Sequence, residues 1–178
     1  PYFLMVTGVF TNIWLIYACW ALMGFGMAGI GLSIMHDANH GAYSKNRQIN
    51  TIIGQVIWFV GGSSVNWKIQ HNVLHHSFTN VDHMDEDLES IPILRFSPHK
   101  KHMKIQKYQF IYAWFFYGLM TIMWATVKDF NQLNRYKKKD LIKTQKKSYA
   151  RLLSELIIVK SIYYVLFLVI PLIFVPLA

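Results

Sequence analysis

The chain has 178 residues, of which 53% are hydrophobic, 16% aromatic and only 15% charged, with a formal net charge of +9. Soluble domains carry about 25% charged residues, so the deficit points to a membrane protein. The basic excess does not mark a nucleic-acid binder, because the basic residues flank apolar spans and suit a cytoplasmic face near anionic membrane lipids. The single cysteine, Cys19, lies in an apolar span, which leaves no disulfide framework and no thiol metal site.

Pro1 to Met35 contains no Lys, Arg, Asp or Glu. As one helix, Tyr2 to Met35 would be about 51 Å long, against a hydrocarbon core of about 30 Å. The reading is therefore the tail of one transmembrane helix, ending near Gly8 to Asn12, then a second from about Ile13 to Met35. The stretch has no basic n-region or cleavage signature and is not a signal peptide. Gly24, Gly26, Gly29 and Gly31 are expected to let neighbouring helices approach closely. Residues 1–35 are thus assigned to the membrane.

Residues 36–107 are expected to carry the chemistry on the cytoplasmic side. Five of the eight histidines fall at His36 and His40 and at His71, His75 and His76. On an α-helix, residues i and i+4 share a face, so each cluster presents a pair of imidazoles, with His76 about 100° round from His75. A lone histidine on an apolar face is usually a core residue. Two such clusters instead suggest metal ligands converging from two helices, as in helical bundles. Imidazole suits Zn, Cu, Fe or Ni. A structural zinc takes four ligands, so five histidines favour two metals. His83, His99 and His102 fit no such pattern and read as surface residues.

Between the clusters, Ile49 to Val60 is apolar but too short to span, and is expected to lie on the membrane surface or plug back into the bundle. Gly61-Gly62-Ser63-Ser64 breaks it. Ser64 or Asn66 is expected to cap the helix that follows. Asp82 to Glu89 holds five carboxylates, which either accept imidazole N–H groups or form a solvated loop. Asp37, inside the first cluster, is the better candidate partner for a histidine, together with Asn39.

Ile91 to Lys107 reads as a loop. Tyr108 to Val127 has 20 uncharged residues, eight of them aromatic. Its length suits a span, but eight basic residues precede it and nine follow between Lys128 and Arg151. A span would put these blocks on opposite sides, so 108–127 is read as an interfacial or re-entrant helix. Residues 128–155 form a basic cytoplasmic segment, and a further span begins near Leu156 and runs over 156–178, with Pro171 and Pro176 near its end.

The pattern H-x3-H at His36 and His40, then H-x3-HH at His71, His75 and His76, resembles the first two histidine boxes of the membrane fatty acid desaturase family. The flanks agree: Gly41-Ala42-Tyr43-Ser44, Gly61-Gly62-Ser63-Ser64 with Trp67-Lys68, Ser77-Phe78-Thr79-Asn80 and Asp85-Glu86-Asp87. The detail is most similar to bacterial front-end, linoleoyl-CoA-type members. The family's third box, H/Q-x2-HH, has no match here. With a proline at its start and an apolar run at its end, the chain reads as a piece of a longer protein, and the piece alone is expected to be inactive.

The resemblance implies an all-α integral membrane bundle with two non-haem Fe ions and O2 as co-substrate. It implies desaturation of an acyl-CoA or acyl-lipid chain, with electrons from ferredoxin or cytochrome b5. By carry-over His36, His40, His71, His75 and His76 are iron ligands, and Trp67 and Asn72 lie near the substrate or behind the ligands. The rival readings are a membrane hydroxylase acting on alkane, sterol or carotenoid, a zinc-dependent membrane protein, and a haem-binding membrane carrier.

Overall fold

A computed structural model of the chain describes residues 1–88 and 91–175. Glu89 of the acidic stretch and Pro176 lie outside the described residues. All regular structure among the described residues is helical.

Helix α1 is Tyr2–Val6. It stops where Gly8 takes φ +73°, a left-handed conformation that glycine adopts without penalty. Helix α2 runs over Ile13–His40. Asn12 caps it by accepting from the Trp14 amide at 2.9 Å. The break between the two helices falls in the expected Gly8–Asn12 window. α2 does not end before the first histidine cluster, however. It continues through a π-helical turn, Ile30–Ile34, and carries His36 and His40 on its last turns. Gly41 at φ +77° ends it, with Gly41 and Ala42 amides returning to the Ala38 and Asp37 carbonyls.

Helix α3, Arg47–Gly54, follows a tight loop and leads into a 3-10 turn, Gln55–Val60. Asn50 pins that loop. It accepts from the Ser44 amide at 2.8 Å and donates to the Gly41 and Ser44 carbonyls. Helix α4 starts as Ser64–Trp67 and continues as a π-helix, Lys68–His75. The expected capping roles are not used: the Ser64 hydroxyl donates to Gln55, and the Asn66 amide donates to Asp129.

Helix α5 is Lys104–Lys138, with a π-turn at Trp124–Lys128. The expected element over 108–127 is only its middle, and the helix continues to Lys138, inside the segment read as merely basic. A 3-10 turn, Leu141–Gln145, precedes helix α6, Tyr149–Phe174, which starts before the expected Leu156. α2, α5 and α6 are each long and apolar enough to cross a membrane. On α5, Trp114 is 75% exposed, and Phe110 and Phe115 are exposed beside it. Such a surface suits lipid rather than water.

The chain groups into two compact units. One comprises Pro1–Ser64 with the chain from Ser154 onward. Its core is Met5, Ile16, Cys19 and Val175, so Cys19 is the packing residue expected. Tyr2 donates to the Leu166 carbonyl and packs edge-on against Phe167, which ties α1 to α6. Lys160 on α6 is only 3% exposed and donates to the Gly61 carbonyl. The close helix approach expected at Gly24, Gly26, Gly29 and Gly31 is not made by the described residues: nothing lies within 4 Å of where a Cβ would sit.

The second unit is Val65–Leu153. Its buried face of α5 carries Asp129, Gln132, Leu133 and Tyr136, spaced three and four apart on one side of the helix. The loop before α5 is held by Tyr112 donating to the Ile93 carbonyl and by Gln109, which bonds both backbone groups of Arg95.

Candidate metal centre

In the second unit, α4 presents three histidines. An α-helix would carry His75 on the side of His71 and turn His76 away. The π-winding changes this. The His76 amide donates to the His71 carbonyl at 3.0 Å, five residues back, so residue 76 stacks one turn above residue 71. Ring centroids of His75 and His76 lie 5.1 Å and 4.8 Å from that of His71. Trp67 lies a turn earlier, its ring 4.6 Å from His71. Asn72 is half-buried beside His71.

Two carboxylates orient these rings. His71 Nδ1 lies 2.8 Å from Asp87 Oδ2, and His75 Nδ1 lies 2.9 and 3.0 Å from the two oxygens of Asp85. Asp87 also lies 3.7 Å from His75 Nδ1. An ionised carboxylate only accepts, so both rings donate through Nδ1 and leave Nε2 directed away from the carboxylates. That is the arrangement by which outer carboxylates aim metal-binding imidazoles.

Asp85 is 1% exposed and also accepts from the Asn80 and Asp87 backbone amides at 2.9 and 3.0 Å. Burial alone would raise its pKa, but these N–H groups and His75 outweigh it and hold the carboxyl below its usual range. His71 is held below the usual histidine value, first by burial and then by its histidine neighbours, against the opposing pull of Asp87. Its ring is therefore neutral near pH 7, the form that binds metal.

In the first unit, His36 and His40 present rings with centroids 4.6 Å apart. Asp37 Oδ1 lies 3.0 Å from His36 Nδ1, although this pair is more exposed. Asn39 is buried, and its amide donates to the Gly54 carbonyl at 3.1 Å. His83 is 84% exposed, and His99 and His102 are exposed, as expected of residues outside the clusters.

The donor chemistry fits a metal. With Asp85 and Asp87 on the Nδ1 atoms, the Nε2 atoms of His71 and His75 are left for a metal, and a sulfur-free imidazole set suits Zn, Cu, Fe or Ni. The acidic stretch, ranked below Asp37 on sequence, supplies the two carboxylates that orient the second cluster. Sequence reasoning missed a further layer. Glu86 receives both guanidinium nitrogens of Arg135, at 2.9 and 2.7 Å, and the Tyr136 hydroxyl at 2.6 Å. The D-x2-Q-x3-Y spacing at Asp129, Gln132 and Tyr136 was the available signal, a polar stripe on one face of a helix.

Comparison with known proteins agrees with this picture. The family described as fatty acid desaturase matches residues 12–178. The sn-1 linoleoyl-lipid 6-desaturase of Arthrospira platensis is 36% identical over 104 residues, covering 58% of this chain and 28% of that protein. The enzyme of the same name from Synechocystis is 34% identical over 119 residues, covering 67% and 33%. An acyl-lipid (8-3)-desaturase of Physcomitrium patens is 40% identical over 118 residues, covering 65% and 24%. The chain thus spans about a quarter to a third of the length of these curated relatives. No solved structure matches it. The three apolar helices and the match over nearly the whole chain make this an integral membrane protein sequence, and the chain belongs to the fatty acid desaturase family.

Proposed function

We propose that the full-length protein is a fatty acyl desaturase with a non-haem di-iron centre, and that His36, His40, His71, His75 and His76 are among its iron ligands. The observation that carries this is the second cluster: His71 and His75 each have Nδ1 on a carboxylate, with His76 wound to the same side. The overall change is removal of two hydrogens from adjacent methylenes. One O2, two electrons and two protons complete it, giving a double bond and two waters. When bound, the irons supply the oxidant that breaks unactivated C–H bonds.

The protein's own residues have simpler tasks. Asp85 and Asp87 hold two imidazoles in one tautomer, and Asp37 does so for His36. Asn39 fixes the Gly54 backbone beside the first cluster. Trp67, packed on His71, and Asn72 are proposed to lie beside the acyl chain or behind the ligands. A water-poor site would protect the reacting chain. The relatives' names favour a lipid-bound acyl chain over acyl-CoA. Ferredoxin or cytochrome b5 is proposed as the electron donor. The basic residues of 45–107 and 128–151 favour a cytoplasmic location for the clusters, against anionic lipid.

Expression of the full-length protein in a desaturase-deficient host, with analysis of total fatty acids, tests the reading. A new unsaturated product is expected. Hydroxylated product alone would favour a membrane hydroxylase. Zinc without iron, or a Soret band, in the purified protein would overturn the di-iron assignment.

A further inference from the structure

Between the second histidine cluster and α5 runs a line of side-chain hydrogen bonds whose direction is set at both ends. At one end is Asp87, whose Oδ1 accepts from Gln70 Nε2 at 2.5 Å while its Oδ2 faces His71. At the other is Glu86, which accepts from the Tyr136 hydroxyl. Carboxylates only accept, so the order of every group between them follows. Gln70 spends its amide N–H on Asp87 and turns its carbonyl toward Gln132. Tyr136 spends its proton on Glu86 and turns its lone pairs toward Gln132. Gln132 Nε2 donates to both, the Gln70 carbonyl and the Tyr136 oxygen. Gln132 is buried, 62 residues from Gln70 in sequence.

We infer that Gln132 is a positioning residue for the second histidine cluster: as the one group donating in both directions, it orients Gln70, which fixes Asp87 and hence His71. The position requires two N–H bonds on one terminal atom at the reach of a glutamine side chain. Glutamate has the reach but no donor. Its carboxylate would attract the Gln70 amide N–H and turn it away from Asp87. Leucine or methionine would leave the Gln70 carbonyl and the Tyr136 oxygen unmatched. Asparagine is one methylene too short.

This inference rests on the metal-site reading above, and its test separates the two. The probe is Co(II), titrated into metal-free, detergent-solubilised full-length protein and followed by its d–d absorption. Loss of outer hydrogen-bond partners weakens metal binding about 10- to 100-fold. Gln132→Glu is expected to weaken Co(II) binding at least about tenfold with a changed d–d spectrum, while the metal-free protein keeps the wild-type helix content by circular dichroism. Gln132→Met serves should the glutamate variant not fold. Gln70→Ala and Gln132→Ala should each weaken binding, and the double variant no more than the stronger single one, because they act in one line. Wild-type affinity in Gln132→Glu, or additive losses in the double variant, would overturn the inference alone. Wild-type affinity in His71→Ala would remove the metal-site reading with it.

Discussion

The His76 amide donates to the His71 carbonyl at 3.0 Å, across five residues instead of the four of an α-helix. Adjacent histidines on an α-helix diverge by about 100°. The π-winding of Lys68–His75 absorbs one extra residue per turn, so the neighbours His75 and His76 both set their rings close to that of His71, with 5.4 Å between their own centroids. A second π-turn, Ile30–Ile34, lies just ahead of His36 on α2. π-turns are uncommon and concentrate at functional sites.

Because His76 shares the face of His71, its loss should be as severe. His71→Ala, His75→Ala and His76→Ala in the full-length protein should each remove at least one of two irons and reduce desaturation by more than about 100-fold. Iron per polypeptide, measured by mass spectrometry of the purified protein, checks this. Full iron in His76→Ala would mean that the π-turn serves packing alone.

Asp85 holds three partners in a fully buried position: His75 Nδ1 and the backbone amides of Asn80 and Asp87. Its neighbour Asn80 has φ +64°, so the turn is held in a conformation that needs support. Asp85→Ala leaves those buried donors unmatched, at about 1–3 kcal/mol each where water cannot replace the carboxylate. The variant should unfold at a lower temperature and bind metal weakly. Asp85→Asn keeps the shape but loses charge, and should cost less stability while still weakening metal binding about 10- to 100-fold. Thermal unfolding and metal titration of the two variants separate the effects.

The histidine pairs, the break after α1 and the glycine stop before α4 were legible because each depends on local spacing or on one residue's φ. The π-turns were not, since they arise from a choice between i→i+4 and i→i+5 bonding that no residue pattern here announces. Asp85 lies ten residues from His75, and Gln132 lies 62 from Gln70. Such partners depend on how the loop of residues 77–88 and the end of α5 fold back within their unit, which residue periodicity does not encode. The same limit applied to α5. The uncharged run bounded the expected element at 108–127, but the polar residues Asp129, Gln132 and Tyr136 continue the helix because their face is buried against Asn66, Gln70 and Glu86.

Gly54 is required by space, with an ordinary helical backbone. A Cβ there would sit 2.5 Å from Asn39 Oδ1 and 3.0 Å from its Cγ. Asn39 is buried and its amide donates to the Gly54 carbonyl, so a retreat of its side chain breaks that hydrogen bond. Gly54→Ala should therefore destabilise the protein by about 1–3 kcal/mol, the usual range for overpacking. The double variant Gly54→Ala/Asn39→Ala should recover part of that loss, since the clash is gone though the Gly54 carbonyl has lost its donor. A Gly54→Ala protein with unchanged thermal midpoint would show that Asn39 moves freely.

Lys68, half-buried on α4, provides a test in pH. Burial first, and then the like charge of Lys147, hold its ammonium below the usual lysine value. A group with a lower pKa in the folded than in the unfolded state binds fewer protons when folded, so stability rises with pH between the two values. The cost of the charged form is fully present below the folded value. It disappears as pH passes the unfolded value, about 10.4 for lysine. Lys68→Met should raise the thermal midpoint at pH 7 and lose that advantage as the pH approaches about 10.5. Lys147→Gln should raise it by less, because it removes only the smaller cause. A Lys68→Met advantage that stays constant from neutral to alkaline pH would place the gain in packing, not in charge.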